Sequence, residues 1–180
     1  MLGAMEDESL DRAYWDAAEE GAELLREGDL DGAVGELSAL VQRSPENPYG
    51  YYFLAAALFE KRELGRALKA YLSAIERKPD YLGALIGAGW TLHGLGRFKE
   101  ALRVGHQVLA RVKEDPDALH LLGLSHYAIG DNAAALGYLR RFIATRPEIE
   151  VAMEVEGLVK VLEGDVLPLR DDSDADDDQA

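Results

Sequence analysis

From about residue 9 to residue 163, apolar side chains recur at intervals of three and four. This is the spacing that puts one stripe of a helix against a core. Short polar turns interrupt the stripes, and the interruptions predict helices over 9–26, 30–43, 48–61, 64–77, 82–95, 98–112, 116–129, 132–145 and 148–163. The turns carry matching chemistry. Gly28-Asp29, Gly96-Arg97 and Gly130-Asp131 place a glycine just past one helix and, in two cases, a capping aspartate before the next. Asn47-Pro48 and Asp115-Pro116 place a cap residue before a proline at the first helical position.

The pattern also has a long period. Ala33, Ala67, Ala101 and Ala135 are each 34 residues apart, with no insertion between them. Pro45, Pro79 and Pro147 keep the same phase, with Lys113 at the equivalent place in the third unit. Alanine in phase on successive amphipathic helices marks the points where helices cross closely. The 34-residue unit resembles the tetratricopeptide repeat (TPR) family. The second unit carries the family's residues throughout: Tyr51, Leu54, Ala55, Leu58, Ala67, Tyr71, Ala74 and Pro79. The fourth reads Leu119, Leu122, Gly123, His126, Ala135, Leu139, Phe142 and Pro147, with Phe142 where the family has a small residue and His126 where it has an apolar one. The third carries Gly105 at a position that is usually large, and the first is weakest, with Ala17 and Glu20 in its front helix.

The resemblance implies an all-α, right-handed α-solenoid of four 34-residue helix-turn-helix repeats, 14–47, 48–81, 82–115 and 116–149. An acidic N-terminal extension, 1–13, precedes them. A capping helix, 150–164, follows, with Val151, Val155, Leu158, Val159 and Leu162 on one side and Glu150, Glu154, Glu156, Lys160 and Glu163 opposite. A stacked array needs such an end helix to cover its last repeat. Residues 165–180 lose helical periodicity and run into aspartates, which predicts a disordered acidic tail.

Composition narrows the function. Ala and Leu number 26 and 28, against 17 Val, Ile and Thr together, which excludes an all-β domain. The net charge of −15 is concentrated at the two ends, so neither nucleic acid nor an anionic membrane is an expected partner. There is no cysteine, which removes disulfide, iron–sulfur and thiol chemistry. No leader-like or membrane-spanning stretch stands out, and a cytoplasmic location is expected. The histidines, His93, His106, His120 and His126, lack metal-pair spacing, and the six serines lie in no nucleophile context. No catalytic residue, metal or cofactor is expected.

The remaining signal is aromatic. The resemblance implies a concave groove lined by the front helix of each repeat. Here its lining positions hold Trp15, Ala18, Ala22 and Leu25; Tyr49, Tyr52, Ala56 and Phe59; Gly83, Ile86, Trp90 and His93; Asp117, His120, Leu124 and Tyr127. Six of the chain's 14 aromatics fall there, on positions expected to be exposed, so packing alone does not explain them. Trp15, Tyr49, Tyr52, Phe59, Ile86, Trp90, His93, His120 and Tyr127 are the candidate partner-binding residues. The clamp that one branch of the family uses for a terminal carboxylate needs cations. Its positions, Ala18, Ala22, Phe53, Gly83 and Gly87, hold none. The resemblance therefore implies a non-enzymatic adaptor that takes an apolar peptide or helix of a partner protein. The alternatives are a chaperone like those of type III secretion translocators and a homo-oligomeric assembly module. The short apolar run Val166-Leu167-Pro168-Leu169 is expected to dock on the chain's own groove or on a partner.

Overall fold

The computed structural model describes the backbone of residues 2–164 and the side chains of 8–164. Among the described residues there are nine α-helices and no strand: α1 (Leu2–Glu27), α2 (Leu30–Arg43), α3 (Pro48–Glu60), α4 (Leu64–Arg77), α5 (Leu82–Gly94), α6 (Phe98–Leu109), α7 (Pro116–Ala128), α8 (Asn132–Ala144) and α9 (Ile149–Glu163). The disordered tail expected over 165–180 lies outside the described residues. Two boundaries differ from expectation by more than one residue. α1 begins at Leu2 rather than near residue 9, so the acidic extension is the first part of a 26-residue helix. Asp11 and Tyr14 of this extended helix are anchored on later residues, Tyr49 and Asn47. α6 stops at Leu109 rather than 112; the backbone tightens there, with Arg111 N–H on the Val108 carbonyl, and the Arg111 side chain donates to the Pro79 carbonyl at 3.0 Å.

Each helix packs on the next. The odd-numbered helices α1, α3, α5 and α7 also pack on one another in succession, whereas the even-numbered ones do not meet. A row in contact facing a row spread apart bends the array, with the odd-numbered helices on its concave side. The close crossings depend on residues with little or no side chain. Ala33, Ala67, Ala101 and Ala135 are fully buried, and a Cβ on Gly105 would lie 2.7 Å from Leu122 Cγ.

The expected caps form. Asp29 accepts from Gly32 N, Asn47 from Tyr49 N and Gly50 N, Asp115 from Ala118 N, and Asp131 from Ala134 N. A second set of contacts joins neighbouring units. Arg77 donates to the Pro45 carbonyl, Arg111 to that of Pro79 and Arg141 to that of Lys113. Each guanidinium thus satisfies a loop carbonyl in the unit before its own. Arg43 has no earlier unit and pairs with Glu36 instead, at 3.1 Å.

Inside each helical pair the chain turns through one left-handed residue. Gly28, Gly96 and Gly130 hold it at φ of 82°, 73° and 80°, but in the second pair Arg62 holds it at 63°. A side chain in this region costs roughly 1–2 kcal/mol, partly offset by the greater freedom of glycine in the unfolded chain. Arg62→Gly should therefore raise stability by about 1 kcal/mol. Ala101→Leu should lower it by ~1–3 kcal/mol through overpacking. Thermal melts of both variants check the signs, and two shifts in the same direction would contradict this account.

Candidate functional site

On α5, Gly83, Ile86, Trp90 and His93 recur at helical spacing along one side, while Ala84, Leu85, Ala88, Gly89 and Leu92 are buried on the other. The first set meets the neighbouring odd-numbered helices and so lies on the concave side. Trp90 stands edge-on to His93 and to His120 of α7, with ring centroids 5.8 and 5.2 Å apart. The His120 ring stacks on Phe142 at 4.5 Å, and His93 Nδ1 is 3.0 Å from Ser125 Oγ. From α3, the Tyr52 ring leans towards α5. A Cβ on Gly83 would lie 3.2 Å from the Tyr81 ring and 3.4 Å from that of Tyr52. The bare helix surface at Gly83 makes room for both rings, which are 4.8 Å apart. Gly87 does the same for Tyr71, whose ring occupies the space a side chain would take.

This stretch is electrically quiet. Burial lowers the pKa of His93, so it is a neutral imidazole at neutral pH. Burial also lowers that of His120, against the opposing pull of Glu154 and Asp117. Burial raises the Tyr52 phenol, and the charge of Asp117 adds to the shift. Asp117 marks the acidic edge. Burial and Asp115 raise its carboxyl above the usual range, while His120 opposes them. Among the described residues, no group of three or more His, Asp or Glu is placed to hold a metal.

The nine candidate residues do not share one environment. Tyr52, Ile86, Trp90, His93 and His120 form the central run. Trp15 is 46% exposed at the N-terminal border, edge-on to Tyr49 and Phe53. Phe59 and Tyr127 sit near the C-terminal ends of α3 and α7; Phe59 packs on the core, and Tyr127 is 45% exposed. Tyr49 corrects the expectation of an exposed groove residue, since it is only 7% exposed. The extra length of α1 covers it. Its hydroxyl donates to Asp11 Oδ2 at 2.7 Å and accepts from Lys78 Nζ at 2.9 Å, while Lys78 Nζ reaches Asp11 Oδ1 at 2.6 Å. Ala18 and Ala22, expected on the groove, are buried as well, where α1 lies close to α2 and α3. Beside this latch an open cleft of about 760 Å3 is lined by Glu8, Asp11, Tyr14, Arg77 and Lys78, and both of its cations are engaged internally. Phe53 and Tyr81, which are not among the nine candidates, join the aromatic surface, while Tyr71 and Phe142 lie buried beneath it.

Comparison with known proteins places this geometry. A family model described as tetratricopeptide repeat matches residues 19–81 and 86–148. Superkiller complex protein 3 of Mus musculus is 26% identical over 160 residues, covering 81% of this chain and 10% of that protein. Tetratricopeptide repeat protein 37 of Xenopus laevis is 26% identical over 151 residues, covering 76% of this chain and 10% of that protein. The chain thus spans about a tenth of the length of these curated relatives. Among solved structures, PilW, described as a widely conserved type IV pilus biogenesis factor, matches with a TM-score of 0.76 at 22% identity, over 84% of this chain and 70% of that one. MamA from Desulfovibrio magneticus RS-1 matches with a TM-score of 0.65 at 19% identity, over 86% and 96%. At these identities the structural likeness is one of fold. No helix among the described residues is long and apolar enough to cross a membrane.

The Asp11–Tyr49–Lys78 latch makes stability depend on pH. Burial alone would raise the Asp11 pKa, but hydrogen bonds from Lys78 and Tyr49 and the charge of Lys78 hold it below the ordinary value. A depressed carboxyl stabilises the fold above its unfolded-state pKa, and that contribution fades as pH falls through the folded-state value. Asp11→Asn should therefore melt lower than the parent at about pH 7, with the gap closing towards about pH 3. Melts across that range check this; a gap that does not change with pH would contradict it.

Proposed function

The chain belongs to the tetratricopeptide repeat family, and we propose that its concave face binds an apolar peptide or helix of a partner protein. The fold is one that serves generally as a protein-interaction scaffold. The observation that supports the finer reading is the uncharged aromatic run from Tyr52 across Gly83 and Ile86 to Trp90 and His120. Tyr and Trp supply large contact area at little entropic cost and are enriched among residues that dominate binding energy. Two or three apolar side chains of a helix or an extended strand could seat between Tyr52 and Trp90, beside Ile86. Asp117 at the edge and the net charge of −15 favour a partner with basic residues beside its apolar anchors. The role is that of a non-enzymatic adaptor. A partner's terminal carboxylate would find no cation at Ala18, Ala22, Phe53, Gly83 or Gly87 to pair with.

Trp15 and Trp90 are the only tryptophans, so Trp15→Phe leaves Trp90 as a fluorescent reporter within the face. Peptides selected from a displayed random library against the parent protein, titrated into Trp15→Phe, should shift its emission. Trp90→Ala should weaken the same peptides by tens-fold, the equivalent of ~2 kcal/mol, in calorimetric titrations. Lys99→Ala, on the exposed side of α6, should leave them unchanged. Peptides that bind Trp90→Ala as tightly as the parent would overturn the assignment.

A further inference from the structure

α9 closes the array but is itself apolar on two sides. Its inner side, Val155 and Val159 with Leu158 and Leu162, packs on Leu139 and Phe142 of α8 and Leu119 of α7. Its outer side carries Ile149, Met153 and Val161, exposed by 73%, 66% and 40%, and no described element covers them. Gly157 completes the stripe at four-residue spacing. Nothing lies within 4 Å of where its Cβ would stand, so the stripe has a saddle between Met153 and Val161. An end helix whose only task was to cap would be polar outside.

We propose that this stripe is covered by the chain's own next segment, Val166-Leu167-Pro168-Leu169, running back along α9. That segment lies outside the described residues; the helix and its exit point to it. Gly164 ends α9 in the left-handed conformation, φ 78°, with its N–H on the carbonyls of Lys160 and Val161. This termination, two residues before Val166, turns the chain away from the helix axis. The reach also fits. Fifteen helical residues span roughly 22 Å, a distance that about seven extended residues retrace. Val166, Leu167 and Leu169 would then pass over Val161, the Gly157 saddle and Met153, with Pro168 holding the strand extended. The six aspartates from Asp171 onward would begin near the far end of α9 and stay in water.

Two other occupants fit less well. A second copy placed stripe to stripe would bring Glu150, Glu154 and Glu156, which make no ion pair among the described residues, against their own equivalents. A separate partner must compete with a segment tethered two residues away, whose effective concentration is that of a short linker. The tethered run has Asp165 before it and Arg170 after it, so it brings almost no net charge to the contact.

The protein has no cysteine, so Ser173→Cys in the full chain accepts a single nitroxide label. Methyl NMR then reads its distance to the helix. The methyl signals of Ile149 and Met153 should lose most of their intensity relative to the reduced label, independently of protein concentration. Adding Leu167→Ser and Leu169→Ser should restore them. Unaffected Ile149 and Met153 signals would overturn the proposal. Loss at Ile86 on the concave face in their place would do the same. So would loss that appears in unlabelled chains mixed with labelled ones, which would assign the stripe to a second copy.

Discussion

The structure depends on how closely its helices approach. From α1 to α8 the close crossings are made at alanine or glycine: Ala33, Ala67, Ala101 and Ala135 in one register, Gly89, Gly105 and Gly123 in others. A larger side chain at any of them would separate two helices and tilt everything stacked beyond. Because the approach repeats every 34 residues, the same small geometric error would repeat as well. The curvature that gathers the odd-numbered helices into one row follows from this spacing.

The crossing constraint also shapes the surface. With small residues turned towards the partner helix, the bulk of each front helix falls on its other side. In α5 the same thirteen residues carry Ala84, Ala88 and Gly89 inward and Ile86, Trp90 and His93 towards the concavity. Charge is kept off the middle of that face: its imidazoles are neutral through burial, and carboxylates stand at its border. The C-terminal end departs from the pattern. Phe142 fills the space beneath His120, and α9 packs on α8 without meeting the backbone of α7.

Much of the fold was legible because it is local. The alanine phase, the Gly-Asp turns and the Asn-Pro and Asp-Pro starts act within a few residues, and the helices follow them. The candidate face was only partly legible. Tyr49 sits at a position that is exposed when a front helix has ordinary length, but α1 is twice as long as its counterparts and lays Asp11 over it. That contact spans 38 residues and leaves no periodic trace. Tyr81 was missed although a signal existed. Gly83 and Gly87 lie inside a helix, where glycine is costly, and such glycines imply a neighbour that needs the room. The end of α6 was misplaced because its last turn tightens in the backbone, with Arg111 N–H on the carbonyl three residues back, and that leaves no mark in the apolar pattern.

The arginines that reach back to Pro45, Pro79 and Lys113 bind each unit to its immediate neighbour. Such a molecule behaves mechanically like a chain of coupled springs. A disturbance in one turn is felt in the next and dies away beyond it, so the two ends hardly sense each other. Loosening at α1 would leave α7 and α8 in place, and events at α9 would not travel to Trp15. A partner laid along several turns would supply the long-range rigidity that the array does not have by itself.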